Sequence, residues 1–432
     1  MNMQTRNYYR GKSGLFLFAE QIVYALLGIA VGCAAGAVGG IFGIGVEKCA
    51  AFGAAHFSLY VWFLPIVGLL TVAMLRTFGK GVPTGMGALF AASHGEGAGF
   101  PIRNALFQFA GGWAAHLFCA SVGREGAGVQ IGASIGYGIG KHVPMHDADK
   151  ILLVAGMAAG FSALFGTPVC ALFFALEVTV VGGIRLRALV SSLFAAFAAY
   201  FTARLCGMTH VLYNVPFELS MDVSLFLRIF VFGALCGIAG LVFCSARKYA
   251  EKFFSYSCKN AYVRAAAAGL LLAGLLYISG GRYIGLGTNL IGEAFNGEVF
   301  AFDWIVKLLF TAAFLSVGFL GGEVTTLFAA GTCLGAAAGP FFGLDPHIAA
   351  ALGYAAVFGA ATNTLLSPVF LGVEMFGGAS LPFMSIACLA AYLFNFDRSV
   401  YNQKRRETVS ESIERHLFAR HRRLLPLPQR LY

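Results

Sequence analysis

Two glutamates stand in glycine turns, each just ahead of an apolar, small-residue run. Glu125 lies in Gly123-Arg124-Glu125-Gly126, and Glu323 in Gly321-Gly322-Glu323-Val324-Thr325. An ionisable side chain at membrane depth costs about 2.5–3.5 kcal/mol on insertion scales, so such residues are paired or functional. The glycines suggest function. They allow a tight turn whose free N–H groups point from a helix N-terminus towards an anion. The helix dipole then attracts negative charge without a full positive side chain, so the ion can also leave. A carboxylate at Glu125 would occupy such a seat itself and vacate it when protonated, coupling anion passage to proton passage. The blander alternatives are a structural Arg124–Glu125 ion pair, and a Glu323 that caps its helix.

The elements that must position these residues repeat along the chain. After Gly123–Gly132 come Gly156-Met157-Ala158-Ala159-Gly160, then Phe165-Gly166-Thr167-Pro168, then Glu177. After Glu323 come Gly331 and Gly335, then Gly353-Tyr354-Ala355-Ala356, Pro368 and Glu374. Glu125 and Glu177 are 52 positions apart (177 − 125), and Glu323 and Glu374 are 51 apart (374 − 323). Each unit reads as a glycine-glutamate turn, an apolar helix, a small-residue helix, a proline break and a short helix ending near a carboxylate. On this reading Glu125 and Glu323 are repeat-equivalent. Internal repeats with Gly/Pro-interrupted helices at matching places are the mark of a transporter and point to its binding site. The halves divide around Tyr213 to Asp222; if each crosses an odd number of times, they are inverted.

Composition decides the setting. Of 432 residues, 58% are hydrophobic and only 12% charged, which leaves little surface for water. Apolar stretches such as 15–46, 58–75, 225–244 and 263–278 approach or exceed the roughly 20 helical residues that span a bilayer. The 56 glycines suit closely packed membrane helices. Net charge is +10, concentrated at the ends: Arg6, Arg10 and Lys12 before the first span, and a tail from Arg398 through Arg430. Basic segments beside spans stay cytoplasmic, so both termini are placed inside and the crossings number even. Anionic lipid and topology account for the basic tail without nucleic acid. The ten cysteines form no CxxC pair, which argues against a zinc site or disulfide framework. His94 and Glu96 form an isolated H-x-E, so no metal or cofactor is expected. The expected organisation is a cytoplasmic N-terminus (1–14), a first transmembrane repeat (15–212), a second (222–397) and a basic cytoplasmic tail without a regulatory domain (398–432). An intramembrane hydrolase would need a nucleophile with a positioned partner, and neither Ser134 nor Ser162 has that context.

The stretch Gly123–Gly132 resembles the GREGPxVQxG motif of CLC chloride channels and transporters, and the resemblance runs from about Gly79 to Arg405. It implies an all-α polytopic CLC fold of two inverted-topology repeats with tilted and re-entrant helices. It also implies a homodimer with one pathway per subunit, and an external gate and proton acceptor at Glu125. Where chloride members read GGxFxP, this chain reads Gly321-Gly322-Glu323-Val324-Thr325, similar to the fluoride-exporting clade. Phe173–Val178 is also similar to that clade, and Val178 replaces the internal proton glutamate of chloride exchangers. Arg282–Gly287, Gly372–Gly377 and Tyr401-Asn402-Gln403 agree. Met86 matches that clade's methionine, but its phenylalanine spacings fall on Leu89 and Ala92, with Phe90 beside them; Thr326 also departs.

The resemblance therefore implies a fluoride/proton antiporter that exports fluoride across a bacterial plasma membrane. The same-family alternative is a chloride/proton antiporter or chloride channel. Fluoride is strongly hydrated and accepts hydrogen bonds well, so its site needs donors: backbone N–H groups and the Thr325 hydroxyl. The site expected on these grounds comprises Glu125 and Glu323 for gating and protons. Gly123, Arg124, Gly126, Met86, Phe90, Gly322, Val324 and Thr325 are expected to bind the anion.

Overall fold

The computed structural model describes residues 13–82, 84–213, 215–217 and 220–405. The bases Arg6, Arg10 and Lys12, and the tail beyond Arg405, lie outside the described residues, and with them most of the charge on which the placement of the termini rests.

The chain is helical and folds as two series of the same order. The first is α1 Gly14–Ala55, α2 Leu64–Thr77, α3 Gly85–Ser93, α4 Arg103–Leu117, α5 Glu125–Gly140, α6 Ala148–Phe165, α7 Pro168–Glu177 and α8 Leu189–Leu205. The second is α9 Val223–Ser257, α10 Ala261–Ile278, α11 Thr288–Phe295, α12 Asp303–Val317, α13 Val324–Ala338, α14 Pro346–Thr362, α15 Leu366–Phe376 and α16 Leu381–Phe394. Lengths match pair by pair: 9 and 8 residues for α3 and α11, and 15 each for α4 and α12. The pairs α5/α13, α6/α14 and α7/α15 have 16 and 15, 18 and 17, and 10 and 11 residues. The repeat read from two motifs thus extends through whole halves of the chain. Among the described residues one strand pair, β1 Val180–Val181 with β2 Lys404–Arg405, runs parallel and ties the segment after α16 to the end of α7.

Small residues set the packing. A Cβ on Gly156 would overlap the Gly132 carbonyl, and one on Gly353 the Gly331 carbonyl. The pairs α5/α6 and α13/α14 therefore approach backbone to backbone, as membrane helices do through small residues. Helices α6 and α14 are buried along nearly their whole lengths. That suits helices apolar on every face, which belong in a core. Proline opens α7 at Pro168 and α14 at Pro346, where the absent N–H is not missed.

The two halves run in opposite senses. Helix α5 packs antiparallel on α6, since Gly132 faces Gly156 and Gly140 faces Asp149. Helix α13 packs antiparallel on α14, since Gly331 faces Gly353 and Gly335 faces Ala349. Helix α6 ends at a cavity lined by Phe165, whereas α14 ends at a different cavity lined by Asn363. Helices α5 and α13 therefore start together and run apart, as inverted repeats require. Among the described residues, seven helical stretches are long and apolar enough to cross a membrane.

Candidate anion and proton site

The two glycine turns meet at the centre. Gly123 and Gly322 form an antiparallel bridge, with Gly123 N donating to Gly322 O at 2.5 Å and Gly322 N to Gly123 O at 2.7 Å. A side chain on Gly322 would overlap the Gly126 nitrogen, so only glycine permits this approach. The N–H groups of Gly123 and Gly322 are thereby engaged with each other. In this structure they hold the two turns together.

Glu125 is the first residue of α5 and is 1% exposed. Its Oε2 accepts from Arg124 N and, across the repeat boundary, from Thr325 N, both at 3.1 Å. The carboxylate thus sits at the N-terminus of α13, where dipole and free N–H groups favour negative charge. Its Oε1 makes no hydrogen bond and lies 3.6 Å from Arg124 Nε. Arg124 Nη1 turns instead to Glu47 Oε1 on α1, at 2.7 Å. The Thr325 hydroxyl is buried without a hydrogen-bond partner. A small acceptor that displaced the Glu125 carboxylate would meet Thr325 N and a free hydroxyl.

Glu323 faces elsewhere. It stands at the N-cap of α13, yet its side chain makes no capping hydrogen bond. It accepts instead from the Tyr401 hydroxyl. Phe90 stands edge-on to that tyrosine, with ring centroids 5.6 Å apart. Leu89 and Ala92, at the two expected aromatic spacings, are buried aliphatic side chains, and Phe90 beside them carries the ring. Gly126 lies in the turn against Gly322, and Val324 is buried at the first position of α13.

The spacings of 52 and 51 hide a one-residue shift. The bridge puts Gly123 opposite Gly322, which aligns Glu323 with Arg124 and Glu125 with Val324. The glutamates are therefore neighbours in the repeat rather than equivalents. Their partner carboxylates do correspond, and they cap each other's helices. Glu374, near the end of α15, accepts from Val169 N at 2.9 Å and Cys170 N at 2.8 Å, at the start of α7. Glu177, at the end of α7, accepts from Leu366 N at 3.0 Å and Ser367 N at 3.2 Å, at the start of α15.

Two cavities approach the centre. The first, about 740 Å³, is lined by Glu47, Arg124, Glu125, His210 and Thr325 among others. The second, about 960 Å³, is lined by Met86, Gln130, Arg247, Glu323 and Tyr401 among others. The first reaches one glutamate and the second the other. Three residues here escaped the sequence reading as site members. Tyr401 entered it only as part of a family tripeptide, 78 positions from Glu323. Glu47 lies within a long apolar helix, 77 positions from Arg124. Gln130 accepts from Gly85 N and Gln108 Nε2, both at 2.9 Å, and so ties α3 to α5.

Residues 67–395 match the family model described as voltage gated chloride channel. The chain belongs to the CLC family. A relative from Pseudomonas syringae pv. tomato (strain ATCC BAA-871 / DC3000), named a chloride/fluoride channel protein, is 31% identical over 88% of this chain and 86% of its own length. The crystal structure of a CLC-type fluoride/proton antiporter superposes with a TM-score of 0.87 at 38% identity, covering 91% of this chain and all of that one. A slow cyanobacterial Cl-/H+ antiporter shares the fold, with a TM-score of 0.74 at 19% identity over 86% of this chain and 94% of its own. This CLC protein is a multi-pass membrane protein of ion transport, not an enzyme.

Proposed function

We propose that this CLC protein is a fluoride/proton antiporter that exports fluoride. Glu125 serves as its gate and proton carrier, and Glu323 as a second carboxylate on the opposite side. The observation that carries this is the Glu125 carboxylate resting on Thr325 N at the start of α13. The seat it fills is one an anion would take. Protonation from the first cavity removes the charge that holds it there. The side chain then leaves, and fluoride entering from the second cavity takes Thr325 N and its hydroxyl. Deprotonation towards the second cavity returns the carboxylate and sends fluoride out through the first. One proton thus moves inward as an anion moves outward.

The names of the Pseudomonas relative and of the antiporter structure favour fluoride. So does Glu323 in place of the chloride pattern. We assign the second cavity to the cytoplasm, because Arg398, among the basic residues that follow α16, lines it. The bacterial plasma membrane, cytoplasmic termini, a lipid-facing perimeter and a homodimer with one pathway per subunit complete the reading.

The test is efflux from proteoliposomes, followed with a fluoride electrode and a pH trace, with chloride run alongside. Fluoride efflux should drive opposed proton movement, and Glu125→Gln should abolish that coupling. Chloride efflux as fast as fluoride efflux would overturn the selectivity, and full coupling in the variant would overturn the role of Glu125.

A further inference from the structure

Buried polar groups are almost always hydrogen-bonded, so buried groups without partners mark a place where something else binds. Asn104 and Gln108 lie one turn apart on α4, 0% and 1% exposed. Both amide atoms of Asn104 and the Oε1 of Gln108 have no partner among the described residues. The Gln108 Nε2 donates to Gln130 Oε1, and a second N–H on that nitrogen remains. Gln108, Gln130 and Met86 all line the second cavity.

The other repeat shows what this position looks like when it is filled. Gly123 and Gly322 are 199 positions apart (322 − 123), and the same step carries Asn104 to Asp303 and Gln108 to Lys307. There the pair is charged and fully engaged. Asp303 takes Arg282 Nη2 at 2.6 Å and the Tyr283 hydroxyl at 2.7 Å. Lys307 Nζ donates to Gly285 O at 2.7 Å, Ser121 Oγ at 2.9 Å and Tyr283 O at 3.0 Å. That pair locks the loop ahead of α11. The amide pair of the first repeat leaves three buried atoms open and reaches the start of α3 only through Gln130, which accepts from Gly85 N.

We propose that Asn104 and Gln108 form a fluoride-binding site on the second-cavity side, where the ion sheds part of its hydration before reaching Thr325. The inference rests on the antiport reading for its place in the path. Side chains one turn apart stand roughly 5–6 Å apart at Cβ, which suits a small ion between them. Asn104 Nδ2 and the second Gln108 N–H donate to fluoride. The amide oxygens accept from a water that keeps one face of the ion hydrated. Neutral donors hold the ion without trapping it, as a lysine at Gln108 would.

The test uses the full-length protein, purified in detergent for calorimetric titration with sodium fluoride and reconstituted for efflux. Asn104→Leu removes groups that have no protein partner, so the fold should tolerate it. It should bind one fluoride fewer per chain than wild type. Its fluoride KM should rise roughly tenfold or more, the effect of losing a hydrogen bond to a charged group. Asn104→Asp, which copies the other repeat, should weaken binding further by repulsion. Asn104→Ser serves if either variant fails to fold, and it too should raise KM. Wild-type stoichiometry and KM in Asn104→Leu, or in Asn104→Ser where Leu does not fold, would mean that the pocket holds only water, and would overturn the proposal. Fluoride bound at this site by a wild-type protein that does not move it would support the site and remove the antiport reading.

Discussion

The reciprocal caps formed by Glu177 and Glu374 predict a large stability loss that leaves the transport chemistry untouched. Replacing Glu374 with alanine removes two bonds to backbone N–H groups, at 2.9 and 2.8 Å, from the first turn of α7. Bonds to a charged group contribute roughly 1.5–3 kcal/mol each, and bonds sharing one carboxylate are not additive, so the cost is about 3 kcal/mol. The freed N–H groups of Val169 and Cys170 would then need another acceptor at the start of a membrane helix, where losing one is costly. The Glu177 bonds are longer, with Leu366 N shared between both oxygens at 3.0 and 3.2 Å and Ser367 N at 3.2 Å. Glu177→Ala should therefore cost less, about 2 kcal/mol. The assay is thermal unfolding in detergent, with fluoride efflux normalised to folded protein. Glu374→Ala should lower the midpoint more than Glu177→Ala, while efflux per folded molecule and proton coupling stay at wild-type values. Unchanged midpoints would refute the capping argument. Lost coupling in well-folded protein would make these carboxylates proton carriers.

Three further perturbations follow. Tyr401→Phe keeps the ring against Phe90 and removes the hydroxyl that donates to the buried Glu323; fluoride efflux per folded molecule should fall roughly tenfold or more, and the melting midpoint should drop as the carboxylate loses its donor. Gly322→Ala places a methyl group on the Gly126 nitrogen and should separate the turns, costing about 1–3 kcal/mol on thermal unfolding and abolishing fluoride efflux. The third concerns Asp147, in the loop between α5 and α6. Burial alone would raise its pKa, but hydrogen bonds from Lys150 and Arg187 outweigh this and hold it below the ordinary carboxylate value. Its contribution is therefore present above an unfolded value of about 3.9 and lost as pH falls through the folded one. Asparagine tolerates the left-handed backbone at this position (φ 60°), so Asp147→Asn should remove about 1 kcal/mol at neutral pH and flatten the acid limb of a stability–pH curve.

The membrane class and the central turns were legible because each rests on local signals. Apolar runs, glycines beside carboxylates and prolines at helix starts all act within a few residues. Tyr401 and Glu47 were not legible as site members, because their roles depend on contacts 78 and 77 positions away. The ring that meets Tyr401 was not legible for a similar reason. Spacing on α3 placed the expected rings at Leu89 and Ala92, whereas Tyr401, arriving from the far end of the described chain, meets Phe90 instead. Glycine turns such as those at Gly123 and Gly322 often supply anion donors. Which N–H groups stay free depends on what lies opposite, and here each glycine lies opposite the other.

The one-residue shift between Glu125 and Glu323 is what makes two carboxylates workable at one centre. Like charges at neighbouring helix starts would compete for the same N–H groups and repel at short range. In strict two-fold register, both would lie at the first position of their helices and point towards the partner helix start. The shift places Glu125 inside α5, where its carboxylate crosses to Thr325 N, and leaves Glu323 at the N-cap of α13, turned to Tyr401. One carboxylate then borders the first cavity and the other the second. A residue moved by one position on a helix turns through about 100°. That rotation turns each glutamate towards a different cavity. Restoring strict register, by Val324→Glu with Glu323→Arg, should bring both carboxylates to the centre. Fluoride efflux should fall to background in folded protein, and wild-type efflux from that variant would show that the offset is incidental.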